Sequence, residues 1–390
     1  MVKNKTKFIE TLIYLYLIIF PFGNILTFRI NLFDRQIPLN FSDFVSFIFL
    51  VFFLFNRMKF PLVFVYLKNF LILVIFSQVL FISLNGIKNS SLGFLYLLRL
   101  FSYSAMFVVL WNFFEKSKDL KKKIVDYLIV VFFFIAIFGW LQYFLFPDMR
   151  AFSFWGWDDH LFRMVGTFFD PTFTAILLVF GVIICLAKYQ KTKKVIYVVG
   201  LLPIILALYF TYSRAGYLAL IFGILVYLII KKKLKISLFI IPLFVFGLFF
   251  LPHSGGEGTN LRRMFSIEAR IENYKQTTKI FLENPVFGVG YNNICWAKQN
   301  YLGIFDTNSH ACSGSDSGIL FLLATTGLVG FIIFSMFCYM LIRTTRFDFY
   351  GMIFISCLSS LFVHSQLSNS IFYPWVMGII VFLASLAVKE

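Results

Sequence analysis

Charged side chains are scarce in this sequence. Only 14% of its 390 residues are Asp, Glu, Lys or Arg, whereas 60% are hydrophobic and 21% are aromatic. A soluble domain cannot cover so much apolar surface with so few charges. The composition therefore excludes a soluble globular protein and predicts a polytopic membrane protein.

Acidic residues are scarcer than basic ones. The chain has 18 Asp and Glu and 35 Lys and Arg, which gives a formal net charge of +17. A strongly basic chain invites a nucleic-acid partner, but the distribution of the charge argues against one. The basic clusters Lys121–Lys123, Lys191–Lys194 and Lys231–Lys233 each lie between two apolar runs. Short basic loops of this kind mark the cytoplasmic side of a membrane, where anionic lipids attract them. We therefore expect membrane lipids, and no nucleic acid, as partners.

Histidine and cysteine are rare, with 4 and 5 residues respectively. No His/Cys spacing typical of zinc, no phosphate-binding Gly-Lys-Ser loop and no Gly-x-Ser-x-Gly turn occurs. The sequence therefore predicts no metal and no cofactor. Cys295 and Cys312 can form a disulfide in an oxidising compartment, although spacing alone does not establish one.

Long apolar runs predict an all-α fold of about twelve transmembrane helices, forming a single integral membrane domain over 1–390. A spanning helix needs about 20 mostly apolar residues, because lipid offers the backbone no hydrogen-bond partners. The expected spans are 8–28, 38–56, 69–87, 91–114, 124–147, 168–188, 194–212, 214–230, 235–251, 316–342, 348–366 and 370–388.

The basic residues also predict the orientation of these spans. With the N-terminus inside, every expected cytoplasmic connection is basic, and both termini are cytoplasmic. The largest outer connection is then the polar segment 252–315, between the ninth and tenth spans. Loops of this size are uncommon and are often functional. We therefore expect it to cover an active site facing out of the cell.

One part of this loop has a helical pattern. Apolar or half-apolar residues recur at spacings of three and four from Met264 to Phe281, which predicts an amphipathic helix lying on the membrane surface or covering the bundle. Arg263 and Arg270 are seven residues apart and share the face beside the apolar stripe. Pro285 should end the helix, and Gly288 and Gly290 permit a sharp re-entry.

Three arginines on the expected outer side, Arg163, Arg214 and Arg270, can carry chemistry. Arginines near the ends of spans often only extend to the lipid headgroups. Arg214, however, lies in the tight turn Thr211–Gly216, which holds its charge at a fixed depth. A guanidinium held there suits phosphate or carboxylate.

Two residues near the end of the loop, His310 and Asp316, can act as a general base on a hydroxyl group. Each has an ordinary alternative. Asp316 can simply cap the helix that follows it, and His310 can be a solvated loop residue.

The order of several short motifs resembles the O-antigen ligase and O-antigen polymerase superfamily. The motifs are individually weak, and together they cover about residues 90–340. They are Arg163-x-x-Gly166 with Asp170-Pro171, then Ser213-Arg214-Ala215-Gly216, then Arg270 leading to Asn284-Pro285-x-x-Gly288-x-Gly290, then Asp316-Ser317-x-x-Leu320 with Gly327-Leu328-Val329-Gly330.

The resemblance implies a metal-independent glycosyltransferase of the GT-C type in the bacterial inner membrane, with its active site facing the periplasm. Its substrate would be an undecaprenyl-pyrophosphate-linked oligosaccharide, used in lipopolysaccharide or other polysaccharide biosynthesis. Ligases of the family carry a His-Asn pair where this chain has Asp316-Ser317, so the resemblance favours the polymerase branch. A chain-length regulator would be a further partner.

In this interpretation Arg214 and Arg270 hold the diphosphate, and Asp316 or His310 orients or deprotonates the acceptor hydroxyl. The further expected substrate contacts are Arg163, Asp170, Tyr212, Ser213, Arg263 and Tyr274. Two alternatives remain open. One is a ligase that attaches finished glycan to the lipid A core, and the other is a flippase for lipid-linked oligosaccharides. The chain shows no internal repeat typical of transporters. Transporters often carry ionisable residues in the middle of the membrane, and the clear example in this sequence is Arg99, in the fourth expected span.

Overall fold

The computed structural model describes residues 2–32, 35–155, 157–253, 256–305, 312 and 314–390. Within these ranges the chain is almost entirely helical. The helices are α1 Val2–Ile19, α2 Phe41–Leu54, α3 Phe64–Asn85, α4 Ile87–Lys116, α5 Lys118–Leu145, α6 Pro171–Thr192, α7 Ile196–Phe210, α8 Arg214–Ile230, α9 Ser237–Leu248, α10 Phe265–Glu283, α11 Ile294–Leu302, α12 Gly318–Arg343, α13 Phe349–His364 and α14 Pro374–Ala387.

Six helical segments are long and apolar enough to cross a membrane, among the residues described. They are Asn4–Leu26, Phe64–Asn85, Gly93–Lys116, Lys118–Leu145, Pro171–Thr192 and Gly318–Arg343. Six shorter apolar helical segments occupy the other expected positions. At about 1.5 Å per residue, a helix of 14 residues such as α2 is shorter than the hydrocarbon core of about 30 Å. A polytopic membrane protein is confirmed, and the count of twelve spans stays a prediction.

The described residues of the expected outer loop 29–37 lie in two strands, which corrects the all-α prediction locally. Strands β1 Thr27–Leu32 and β2 Arg35–Asn40 pair antiparallel, with Thr27 opposite Asn40 and Leu32 opposite Arg35. In β1, apolar residues alternate with polar ones at the period of a strand, so the signal was present in the sequence. It was missed because it is short and joins two long apolar runs.

The helices group into two compact units, each assembled from three stretches of the chain. The first comprises Met1–Leu26, Lys116–Met264 and Phe347–His364, and the second comprises Thr27–Glu115, Phe265–Arg346 and Ser365–Glu390. The expected loop 252–315 is therefore divided, with its first residues in the first unit and α10 and α11 in the second.

The core of the first unit is α6, whose residues Thr174–Cys185 are almost all inaccessible. Asp170 caps this helix by accepting hydrogen bonds from the backbone N–H groups of Thr172 and Phe173, and Pro171 occupies the first turn, where no N–H is needed. Nearby, α8 and α13 pack closely, because Gly223 leaves room for Ser360.

In the second unit α12 packs against α3 and α10. Its backbone is broken at Gly327, where φ is +67°. The turn that follows α10 docks into this break: Leu328 N donates to Pro285 O at 2.8 Å, and Val289 N donates to Ala324 O at 2.9 Å. A broken membrane helix needs such substitutes, because its freed backbone groups cannot bond to lipid. The motif Asn284–Gly290 therefore has a structural role in the fold.

Candidate active site

The turn between α7 and α8 is fixed by local hydrogen bonds. Ser213 caps α8 by accepting from Gly216 N at 3.2 Å. Tyr212 has a left-handed backbone, with φ +50°, and its buried hydroxyl donates to Pro252 O at 2.7 Å. Arg214 is thereby placed in the first turn of α8 with its charge only partly buried.

Three arginines converge on this turn. Arg163 is 7% exposed, and its Nε donates to Thr211 O at 3.0 Å. Arg263 donates to Tyr212 O at 3.2 Å and to Gly258 O at 2.7 Å. Arg214 donates to Arg263 O at 3.0 Å. The first unit thus brings three guanidinium groups to one turn of the backbone, and the expected role of Arg163, Arg214 and Arg263 in a substrate site stays a prediction.

The guanidinium groups of these arginines are held by the backbone around them. Hydrogen bonds to backbone carbonyl groups hold the guanidinium planes in place. A fixed array of cations is suited to binding a diphosphate, because its geometry is set before the ligand arrives.

His160 and Asp170 lie close to the arginines. Burial, with Arg163 and then Arg263 as further causes, lowers the pKa of His160 to about 3, so the imidazole is neutral at physiological pH. Burial raises the pKa of Asp170, opposed by the two backbone N–H groups that it caps and by Arg163. Asp170 was expected to contact substrate, and its observed contacts are those of a helix cap.

A second set of expected residues gathers between α10 and the start of α12, within the second unit. Tyr274 is half-buried, and burial raises the pKa of its hydroxyl. The charge of Asp316 raises that pKa further and the charge of Arg270 lowers it, so both charges are within electrostatic range of the same phenol. Arg270 and Tyr274 are one turn apart on α10, and Asp316 N is hydrogen-bonded to Asn273 of the same helix, so the three residues occupy neighbouring positions.

Hydrogen bonds fix the Tyr274 hydroxyl and the backbone of Asp316 and Ser317. Asp316 N donates to Asn273 Oδ1 at 2.9 Å, Tyr274 Oη donates to Gln366 O at 2.6 Å, and Ser317 caps α12 by accepting from Leu320 N at 3.3 Å. Asn273 and Gln366 were missed by the sequence interpretation. Asn273 lies inside the predicted amphipathic helix, but it belongs to none of the family motifs. Gln366 is distant in sequence from every motif.

A disulfide joins Cys295 of α11 to Cys312, with a Cα–Cα distance of 4.8 Å. The pairing that the spacing left open is therefore present. It ties α11 to the segment that leads into Asp316. Disulfides persist in oxidising compartments, so this one agrees with an outer location for the loop.

The expected site residues thus form two groups. Arg163, Asp170, Tyr212, Ser213, Arg214 and Arg263 are in the first unit, and Arg270, Tyr274 and Asp316 are in the second. His310 lies outside the described residues. The convergence of Arg214 and Arg270 on one pocket stays a prediction.

The apolar helices and the site identify the class as an integral membrane protein. A family model described as O-antigen ligase matches residues 199–335, from α7 through most of α12. This match confirms the resemblance to the O-antigen polymerase and ligase superfamily. It contains Arg214, Arg270 and Asp316, and it leaves Arg163 and Asp170 outside. No curated protein matches the chain.

Proposed function

We propose that this protein is a surface-polysaccharide polymerase of the bacterial inner membrane. It would transfer an undecaprenyl-pyrophosphate-linked glycan to the non-reducing end of another lipid-linked repeat unit, with inversion at C1. The observation that carries the proposal is the hydrogen bond between Asp316 N and Asn273, because it holds a carboxylate residue beside α10, which carries Arg270 one turn away, inside the region that matches the family.

The proposed reaction balances with these residues. The acceptor hydroxyl oxygen forms a bond to C1 of the donor sugar, and its proton passes to the Asp316 carboxylate. The bond between C1 and the diphosphate oxygen breaks, and its electron pair leaves with the diphosphate. Arg214 and Arg270 stabilise this departing charge, so the transfer needs no metal. Cations fixed in a dry site can contribute several kcal/mol to such a step.

The remaining expected residues support this arrangement. Tyr212, Ser213, Arg163 and Arg263 hold Arg214 at the start of α8. Tyr274 ties α10 to Gln366, which follows α13. His310 is a second candidate base in the same loop. The GT-C fold and the periplasmic orientation of the site belong to the proposal as well.

The lipid tail needs an apolar groove, and the second unit contains a suitable cavity. It has a volume of about 550 Å³ and lies between the β-hairpin, α2 and α4. Its lining is mainly apolar, with Phe41, Phe44, Phe47 and Leu95 among the contributors. Cavities of this size hold a substantial part of a ligand, and we propose this one for isoprenoid units of the carrier.

A ligase is the second candidate, because the matching family model is described as O-antigen ligase. The polymerase is preferred because Asp316-Ser317 stands where the family's ligases carry His-Asn. The two are separated by the surface polysaccharide of a deletion strain. Loss of a polymerase leaves core with one repeat unit, whereas loss of a ligase leaves core alone and polymer on the carrier.

Complementation of the deletion strain tests the arginines. Arg214→Ala and Arg270→Ala should each lower polymer formation by roughly 10²–10³-fold, because each removes one fixed cation from the departing diphosphate. Lysine at either position should restore little activity, since it cannot bridge two phosphate oxygens.

The matched controls are Arg262→Ala and Lys275→Ala, which remove exposed cations near Arg263 and on α10. These variants should make chains of normal length. Protein levels are compared by immunoblot, so that loss of folding is separated from loss of activity. Normal chains with both Arg214→Ala and Arg270→Ala would reject the assignment.

A further inference from the structure

Three side chains of metal-ligand type meet in the segment before α6. Asp158, His160 and Asp170 each offer one ligand atom, and these atoms all lie within 4.8 Å of one another. The prediction of no metal rested on His and Cys spacing, and this group takes two of its members from aspartates. All three residues belong to the first unit.

His160 is the member that points to a ligand. It is 7% exposed, and among the described residues neither Nδ1 nor Nε2 makes a hydrogen bond of good geometry, although the backbone of Asp159 lies near enough to favour the protonated ring. Buried polar atoms nearly always have partners, so an imidazole with two unpartnered nitrogens needs an explanation. A nitrogen of this ring lies among the two carboxylate groups, close enough for one ion to bridge all three.

Asp170 is held ready for such a bond. Its Oδ1 accepts from Thr172 N at 2.6 Å and from Phe173 N at 2.9 Å, which fixes the carboxylate at the start of α6. Both bonds fall on one oxygen, so Oδ2 remains for a ligand. Asp158 is exposed, and its side chain can rotate to close the group around an ion.

We propose that Asp158, His160 and Asp170 bind a divalent transition-metal ion of the Zn²⁺ type. One imidazole and two carboxylates are a ligand set that Zn²⁺ accepts, and three protein ligands leave a position for water. Two ligands of one Zn²⁺ at about 2.1 Å lie no more than about 4.2 Å apart, so the group contracts slightly on binding.

The charges near this group act in both directions, because the two carboxylates attract a divalent cation whereas Arg163 and Arg263 are close enough to His160 to oppose one. Two neighbouring carboxylates repel each other, and a divalent cation between them removes that repulsion. The nearby Arg163 and Arg263 direct donors to the carbonyls of Thr211, Tyr212, Gly258 and Asn260. The ion ties the segment that precedes Arg163 to the first turn of α6. The transfer reaction proposed above does not pass through it.

The test is Zn²⁺ binding by the purified full chain in detergent, after treatment with a chelator. We expect one tight site per chain, measured by competition with a chromophoric indicator, and a rise in the unfolding temperature when Zn²⁺ is added. Asp158→Asn should weaken binding at least about tenfold. Loss of one ligand has an effect at least as large as loss of a supporting partner, which costs about 10–100-fold.

Asp159→Asn is the matched control, because Asp159 is an exposed neighbour outside the group. It should bind Zn²⁺ within about twofold of the unsubstituted chain, as should His253→Ala, which removes an exposed histidine. His160→Ala should abolish the site, and Asp158→Asn keeps the test valid if that variant does not fold.

Three outcomes would overturn the proposal. They are the absence of stoichiometric binding, equal binding by Asp158→Asn and Asp159→Asn, and an affinity for Mg²⁺ equal to that for Zn²⁺. The last would show that the imidazole contributes nothing. These measurements do not depend on polymer formation, so failure here leaves the proposed function untouched.

Discussion

Arg163, Arg214 and Arg263 each donate to backbone carbonyl groups in the first unit. An arginine held in this way loses little conformational entropy on meeting an anion, because its side chain is already ordered. Three like charges in a small volume also repel one another. An anionic ligand such as a diphosphate would relieve that repulsion, which is the physical reason for proposing these arginines as its contacts.

Asp316 permits a clean test of the proposed base. Its hydrogen bond to Asn273 is made by the backbone N–H, so Asp316→Asn leaves that contact intact. We expect the variant to fold normally and to lose at least about 100-fold in polymer formation, because an amide cannot accept the hydroxyl proton. Activity should be measured with purified protein and lipid-linked repeat units.

The control for Asp316→Asn is Glu283→Gln, which removes an exposed carboxylate at the end of α10. It should retain full activity. If Asp316→Asn is equally active, the base lies elsewhere, and His310 becomes the residue to test.

Sequence reasoning found the arginines and Asp316 because each is a rare polar residue in an apolar chain. It could not find Gln366, which accepts from Tyr274 through its backbone carbonyl. Any residue type supplies a carbonyl, so no side-chain pattern marks that position. The His160 group was missed because the spacing of Asp158, His160 and Asp170 matches no standard metal-binding motif.

The break in α12 explains why the glycines of the family motif stand where they do. At Gly288, with φ +68°, an added Cβ would lie 2.4–2.6 Å from the backbone of Thr325 and Thr326. At Gly327 it would lie 2.1 Å from Val286 O. The two glycines allow two backbone segments to touch. The sequence predicted a sharp re-entry at Gly288, and only the three-dimensional fold shows which helix receives it.

Gly288→Ala should therefore be strongly destabilising. The left-handed backbone costs about 1–2 kcal/mol for a residue with a Cβ, and the clash with α12 adds about 1–3 kcal/mol. Gly303→Ala is the matched control, because Gly303 has φ +66° but nothing within 4 Å of an added Cβ. It should show the backbone cost alone.

Thermal unfolding of both variants in detergent measures this difference. Gly288→Ala should unfold at a clearly lower temperature than Gly303→Ala. Equal losses would mean that the turn is not packed against the break in α12.

The sequence alone did not explain why the charged residue Arg99 lies in the middle of an expected span. In the structure its guanidinium forms a two-bond ion pair with Asp43 of α2, at 3.0 Å and 2.6 Å, and lies over the ring of Tyr96. The side chains of Arg99 and Asp43 are 12% and 11% exposed, so the pair is largely removed from solvent. A paired charge between two helices needs no transport pathway to account for it. This observation and the family match leave the flippase without support.

The positions of the apolar helices were predictable, because they depend on the length of each hydrophobic run in the sequence. Twelve apolar helical segments stand at the positions expected of the spans, among the residues described. The division into two units was not predictable, because it depends on which helices pack together. Segments as distant as Lys116–Met264 and Phe347–His364 share one unit, and no local pattern in either records the other.

The orientation of the chain is the expectation on which the outer site depends. Basic loops predict that Lys232 is cytoplasmic, and the disulfide between Cys295 and Cys312 agrees with an outer position for α11.

Asn300→Cys and Lys232→Cys place exposed thiols at the two locations. In intact cells a membrane-impermeant maleimide should label Asn300→Cys fully, and Lys232→Cys only after the membrane is permeabilised. The unsubstituted chain controls for its own free thiols, Cys185, Cys338 and Cys357. Labelling of Lys232→Cys in intact cells would show that the true orientation is the reverse of the predicted one. It would place Arg270 and Asp316 in the cytoplasm, where a glycan that has already crossed the membrane could not reach them.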